Sequence, residues 1–318
     1  MNQLSVTVVN KIFEAVDIIS LELAEVDGKQ LPYFTAGAHI DVHLPGGIVR
    51  QYSLLNDSTE SHRYVIAVLK DAESRGGSVA IHKKIKVGDV LRISTPKNHF
   101  PLISANQSLL LAGGIGVTPI LSMAHQLNRT NAAFRMHYCT RSRERTAFLD
   151  TIQSSEFSDR VHFHFDDGDD AQKLDLKTLM AKPSPTTHLY VCGPKGFIDY
   201  VVDSAKEAGW SSDQIHFEYF GAGEIDTSGD KVFKVKIASS GTILDVAPGK
   251  SITRVLEEND VFIPVSCEEG VCGTCLTRVI EGEPDHRDLY LTDAEKTANN
   301  QILPCCSRAK SAMLTLDL

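Results

Sequence analysis

The sequence predicts a multidomain chain: an antiparallel β-barrel, then an α/β domain with a parallel sheet, then a small α+β unit. Three observations predict it. Residues 1–103 hold short runs rich in Val, Ile, Leu, Tyr and Thr between turn signals, the pattern of an antiparallel barrel. From about residue 108, apolar runs alternate with helix-spaced segments, as parallel strands with crossover helices do. Past a Gly-, Ser- and Asp-rich stretch at 221–230, strand-like runs flank one helix candidate and a loop with three cysteines. The expected boundaries are 1–103, 104–222, a linker at 223–231, and 232–318. A chain of 318 residues, 42% hydrophobic, can fill two or three cores.

In the first part, "LSVTVVNKIF", "DIISLELAEV", "AHIDVHL", "RQYSLLND", "YVIAVLK" and "DVLRIST" read as strands, with "PGG" and "KVGD" as turns and "SVAIHKKI" as a short helix. In the second, "SLLLAGG" is a continuous apolar run, as a strand buried on both faces requires. "PILSMAHQLN" follows with helical spacing. The strands "FRMHYCT", "VHFHF", "HLYVCG" and "IHFEYF" then alternate with the helix candidates "TAFLDTIQ", "LDLKTLMA" and "FIDYVVDSAKEAG". In the third, "VFKVKIAS", "TILDVAP", "LTRVIEGE" and "AMLTLDL" are strands and "SITRVLEEN" a helix.

Composition narrows the function. A net charge of −9 with no dense run of Lys or Arg argues against nucleic acid. No run of eighteen apolar residues suggests a membrane span, and the first residues do not read as a signal peptide. The expected compartment is the cytoplasm, where clustered cysteines point to metal or redox chemistry.

Cys267, Cys272 and Cys275 have the spacing C-x4-C-x2-C, and only Cys305 and Cys306 follow them. Taking Cys305 as fourth ligand completes the plant-type [2Fe–2S] spacing. Gly270 and Gly273 allow backbone N–H groups to turn onto the sulfurs of an anionic cluster. A four-cysteine zinc site is the rival, but zinc prefers two short C-x2-4-C knuckles and only one is present. A Rieske centre lacks its histidines; His286 reads as a surface or packing residue. Cys306 is expected to face the other side of its strand, into the local core, and Cys139 to be core.

Gly113, Gly114 and Gly116 lie at a strand-to-helix junction, where glycine lets the backbone approach a pyrophosphate and the helix N-terminus offers N–H groups. Pro119 replaces the last glycine of the usual dinucleotide fingerprint and suits a first helical turn. Cys192, Gly193 and Pro194 mark a second such junction in the same sheet. In the barrel, Arg50 and Tyr52 share one strand face, with Ser53 opposite. Arg75, Gly76, Gly77 and Ser78 precede a helix and form a candidate anion nest.

Together, "RQYS", "SRGGS", "GGIGVTP", "CGP" and "SCEEGVCGTC…HRD…CCSRA" resemble the phthalate dioxygenase reductase and vanillate O-demethylase reductase family, over essentially the whole chain. The resemblance implies a β-grasp ferredoxin fold for the last domain and FMN, not FAD, in the barrel. It implies that Arg50, Arg75, Gly77 and Ser78 bind the FMN phosphate, that Tyr52 flanks the flavin, and that Ser53 hydrogen-bonds near flavin N5. Gly113, Gly114, Thr118, Gly193 and Pro194 would line the nucleotide site, with Cys192 near the reacting carbon. Phe220 is the best match for the aromatic that covers the flavin; Tyr219 also qualifies. The family's "CVSRA" ending aligns its cysteine with Cys305 and its valine with Cys306. NADH is favoured on resemblance. Arg141 and Arg143, placed where a 2′-phosphate would lie, leave room for NADPH.

The implied activity is electron transfer from NADH through FMN and [2Fe–2S] to a partner protein, the terminal Rieske oxygenase. Glu268 and Glu269 read as a solvated loop face, with docking of that partner as the other reading. Two other classes compete: a free-standing flavin or ferric reductase, and a redox sensor with a structural metal.

Overall fold

The computed structural model describes residues 3–71, 76–221 and 227–318. Arg75 lies outside them. The chain forms two compact units, residues 1–218 and 219–318.

The first unit opens with a seven-stranded antiparallel sheet. Its strands are β1 (Gln3–Ala15), β2 (Ile18–Glu25), β3 (Ala38–Leu44), β4 (Ile48–Ser53), β5 (Tyr64–Leu69), β6 (Val90–Ser94) and β7 (Lys97–Asn98), with α1 (Gly77–Lys84) between β5 and β6. Neighbours run β4-β3-β6-β1-β2-β5, and β7 pairs with β3. Register shifts between Val8 and Asn10 and between Phe13 and Ala15 bend the long β1, as bulges do. Alternation sends Val6, Val8, Leu21, Leu23, Ile40, Val42 and Ile93 into one core.

β5 is buried on both faces for a specific reason. Tyr64, Ile66 and Val68 point into the barrel core, while Val65 and Ala67 belong to a second core beneath the α/β layer. That layer comprises β8 (Gln107–Gly113), α2 (Val117–Arg129), β9 (Ala133–Thr140), α3 (Leu149–Gln153), β10 (Val161–Phe165), α4 (Leu176–Met180), β11 (Thr187–Gly193), α5 (Lys195–Glu207) and β12 (Ile215–Tyr219). The strand order is β10-β9-β8-β11-β12, with β10, β9, β8 and β11 mutually parallel. On α2, Val117, Ile120, Leu121, Ala124 and Leu127 recur at helical spacing and bury one stripe. Ser122 Oγ on the same helix donates to the Asn56 carbonyl at 3.0 Å, so α2 bonds directly to the barrel.

The second unit contains β13 (Phe233–Ile237), β14 (Ile243–Val246), α6 (Ile252–Glu258), β15 (Thr277–Glu281), β16 (Pro284–Asp285), α7 (Asp293–Ala298), β17 (Gln301–Ile302), β18 (Arg308–Ala309) and β19 (Met313–Leu316). Five strands run β14-β13-β19-β15-β17. β13 and β14 form a hairpin, and the last strand returns parallel to β13 in mid-sheet. Ile252, Val255 and Leu256 of α6 pack on this sheet, giving the β-grasp arrangement. The end of the predicted linker is anchored here. Asp230 pairs with Arg287 at 2.8 Å and with Arg308 at 3.3 Å, and Arg308 lies over the Phe233 ring.

Among the described residues, no helix is long and apolar enough to cross a membrane.

Candidate functional site

In the barrel, β4 carries Arg50, Tyr52 and Ser53, the last of them buried. Arg50 lies along the start of α1. A Cβ on Gly77 would stand 2.7 Å from Arg50 Cγ and 3.1 Å from its Nε, so only glycine admits the arginine there. Gly76 is left-handed (φ 96°), and α1 has neither a side-chain cap nor an acid in its first turn. Its first N–H groups and the Arg50 guanidinium therefore form a cationic cradle suited to a phosphate. Ser78 Oγ accepts a hydrogen bond from the Asp71 amide at 3.2 Å. Burial pushes the Tyr52 phenol up, so it stays neutral. His39, paired with Ser53 across β3 and β4, is lowered to about 4 by burial and by His99, on which it stacks.

The two glycine junctions meet at the carboxyl ends of β8 and β11. The chain leaves β8 toward β9 and later returns to β11 on its other side, so this is the switch point of the sheet, where ligands of open α/β sheets bind. The approach is closest at Gly116, where an added Cβ would stand 2.3 Å from the Cys192 carbonyl oxygen. Gly114 is left-handed (φ 53°) and nothing crowds its Cβ position. Gly193 and Pro194 both crowd Gly113. Pro119 falls in the first turn of α2, and Thr118 Oγ1 donates to the Ile115 carbonyl at 3.1 Å. Cys192 is completely buried, and its thiol is raised by burial and then by Glu218.

Glu218 was not singled out from the sequence. Its carboxyl is raised to about 8 by burial, and Oε2 is buried with no hydrogen-bond partner among the described residues. The available signal was an acid set between aromatics in "HFEYF". Arg141 and Arg143 are exposed beyond the end of β9. Phe220 falls in the second unit and is 39% exposed; Tyr219 is partly exposed.

In the second unit, Cys267, Cys272, Cys275 and Cys305 are all buried. Among the described residues, no group of three or more His, Cys, Asp or Glu is gathered as one mononuclear ion requires. Cys267 lies against Cys272, and Cys305 lies against both Cys275 and Cys306. The Cys267 thiol holds Cys272 below the ordinary thiol range, while Cys267 itself is raised. Backbone N–H groups reach the sulfurs from Glu269 (3.3 Å to Cys267) and Thr274 (3.5 Å to Cys272). Four buried thiols, with amide donors on Cys267 and Cys272, suit an iron–sulfur centre.

Asp288 of the "HRD" segment ties this loop together. It accepts from the Tyr290 and Leu291 amides at 3.2 and 2.8 Å and from Ser307 Oγ at 3.4 Å. The Leu289 amide donates to the Gly270 carbonyl at 3.0 Å. His286 is a buried packing residue beside it, 3.7 Å from Asp288 Oδ1. The turn bearing Cys305 and Cys306 follows Pro304, and no strand forms there. The expected strand at Cys306 is therefore absent, while its expected place in the local core holds: it packs against the cluster of Cys275, Leu291, Leu303 and Cys305.

An arginine beside a helix N-terminus, a glycine-lined switch point and a loop of buried cysteines occur together in this chain, which is an NAD(P)H-dependent iron–sulfur flavoprotein oxidoreductase. Comparison with known proteins gives the family. A 2Fe-2S iron-sulfur cluster binding domain matches residues 235–310, and the N-terminal domain of dimethylamine monooxygenase subunit DmmA-like proteins matches residues 100–215. The chain is 53% identical to vanillate O-demethylase oxidoreductase of Pseudomonas sp. (strain HR199 / DSM 7063) over 305 residues, 96% of each chain. It is 44% identical to phthalate dioxygenase reductase of Burkholderia cepacia, covering 95% of this chain and 93% of that one. A solved phthalate dioxygenase reductase, described as a modular structure for electron transfer from pyridine nucleotides to [2Fe-2S], superposes with a TM-score of 0.81. It is 43% identical, and the match covers 100% of this chain and 98% of that one. The chain belongs to the phthalate dioxygenase reductase and vanillate O-demethylase oxidoreductase family, whose cofactors are FMN, a [2Fe–2S] cluster and NADH.

Proposed function

We propose that this chain takes hydride from NADH and delivers the electrons singly to the Rieske centre of a terminal oxygenase acting on an aromatic acid or another small organic substrate. Bound FMN and the cluster supply the chemistry, turning one hydride into two one-electron deliveries. The protein binds, aligns and excludes water.

Arg50, Gly77 and Ser78, with Arg75, hold the flavin phosphate. Tyr52 flanks the ring, and Ser53 offers its hydroxyl near N5. Gly113, Gly114, Gly193 and Pro194 leave room for the nucleotide, with Thr118 and Cys192 beside the nicotinamide and Arg141 toward the adenosine end. Phe220 covers the flavin, with Tyr219 as the other candidate. Glu218 keeps a proton beside Cys192 at neutral pH, so no buried carboxylate faces that thiol. Cys267, Cys272, Cys275 and Cys305 would hold the cluster.

Four buried cysteines within a stretch that matches a 2Fe-2S iron-sulfur cluster binding domain carry this reading, because such a domain is an electron carrier. The relatives named for vanillate and phthalate oxygenation support the oxygenase as acceptor.

Anaerobic stopped-flow mixing with NADH tests it. The flavin band bleaches, the iron–sulfur band follows, and an added Rieske oxygenase component is then reduced. Absence of flavin bleaching overturns the hydride step. Reduction of free flavin or ferric salts with no transfer to any oxygenase component overturns the partner.

A further inference from the structure

Cys306 stands one residue beyond the proposed fourth ligand. In a strand it would point away from Cys305. In the turn after Pro304 it does not. Its sulfur lies so close to Gly270, in the middle of the ligand loop, that a Cβ at residue 270 would be 2.4 Å from it. The same sulfur packs on Cys275 and Cys305 and shares a hydrogen bond with the Cys305 thiol. Its other polar neighbours, Leu303 O and Ser307 Oγ, are both 3.7 Å away and hold it weakly. Cys306 therefore sits in one cluster with two of the four proposed ligands, Cys275 and Cys305.

We propose that Cys306 is a reserve ligand of the iron–sulfur centre, taking the fourth thiolate position when Cys305 is lost or detaches. This rests on the ligand set proposed above. The exchange is balanced: the bond from iron to Cys305 Sγ breaks as one to Cys306 Sγ forms. The proton of the Cys306 thiol passes to the Cys305 sulfur, and no electron enters or leaves. Thiolate replaces thiolate, so the soft donor set that iron–sulfur centres require is kept.

The test uses the full chain, reconstituted anaerobically with iron and sulfide, in four forms: the natural sequence, Cys306→Val, Cys305→Ala, and the double variant. Iron and acid-labile sulfide per chain and the visible circular dichroism are read for each. Cys306→Val is expected to match the natural protein. Cys305→Ala is expected to hold at least about fivefold more iron than the double variant. Equally low loading of Cys305→Ala and the double variant overturns the proposal and leaves the ligand set standing. Full loading of Cys305→Ala with an empty Cys306→Val makes Cys306 the resident ligand and overturns the set itself. High loading of the double variant overturns both.

Discussion

Gly116 and the Cys192 carbonyl are in backbone contact, with room at Gly116 for a hydrogen and nothing larger. The two phosphate-type junctions are therefore one structure, and each fixes the position of the other.

Gly116→Ala is expected to push these strand ends apart. Its backbone (φ −62°) suits alanine, so the cost is steric alone. Overpacking of this kind destabilises by roughly 1–3 kcal/mol. The melting temperature of the first unit falls, and the rate of flavin reduction by NADH falls with it. An unchanged rate would sink the assignment of this junction to the nucleotide.

Arg50→Lys tests the phosphate cradle. A charge-assisted hydrogen bond is worth about 1.5–3 kcal/mol, so FMN affinity should drop about tenfold to hundredfold. Lysine keeps the charge but loses the planar fork. Fluorescence titration of the apoprotein with FMN measures it, and an unchanged affinity removes Arg50 from the site.

Glu218 predicts a pH profile. Its folded value, near 8, lies above its unfolded value of about 4.5. Its contribution to stability is thus fully present below about pH 4.5 and is lost as pH rises through 8, at no more than about 1.4 kcal/mol per pH unit. Glu218→Gln should flatten the melting profile between pH 5 and 8. Parallel profiles for the two proteins would show that the carboxyl is not held neutral.

Asp288→Ala strips acceptors from two amides and a hydroxyl. Each stranded buried donor costs about 1–3 kcal/mol. The iron–sulfur absorbance should bleach faster in air or chelator than in the natural protein, while FMN content stays constant. Equal bleaching rates would leave Asp288 without a part in holding the loop.

Much of this was legible because it is local. The spacing of Cys267, Cys272 and Cys275, the glycines before α2 and the alternation in β1 are short-range patterns that sequence displays directly. The remainder depends on what the fold brings near. Glu218 looks like an ordinary polar residue of an edge strand until Cys192, 26 positions earlier, is set beside it. Period-two reasoning expected a strand at Cys306, but Pro304 leads into a turn, where alternation has no meaning. Asp288 entered only as the last residue of "HRD", with no role legible, since its partners are two backbone amides and a serine that the fold brings near.

The core shared by β5 and α2 has a genetic consequence. A gene cut between barrel and α/β layer would leave Val65, Ala67 and Met123 bare on the separated pieces, and neither product would stay in solution. A cut after residue 218, by contrast, leaves both of the first unit's cores whole.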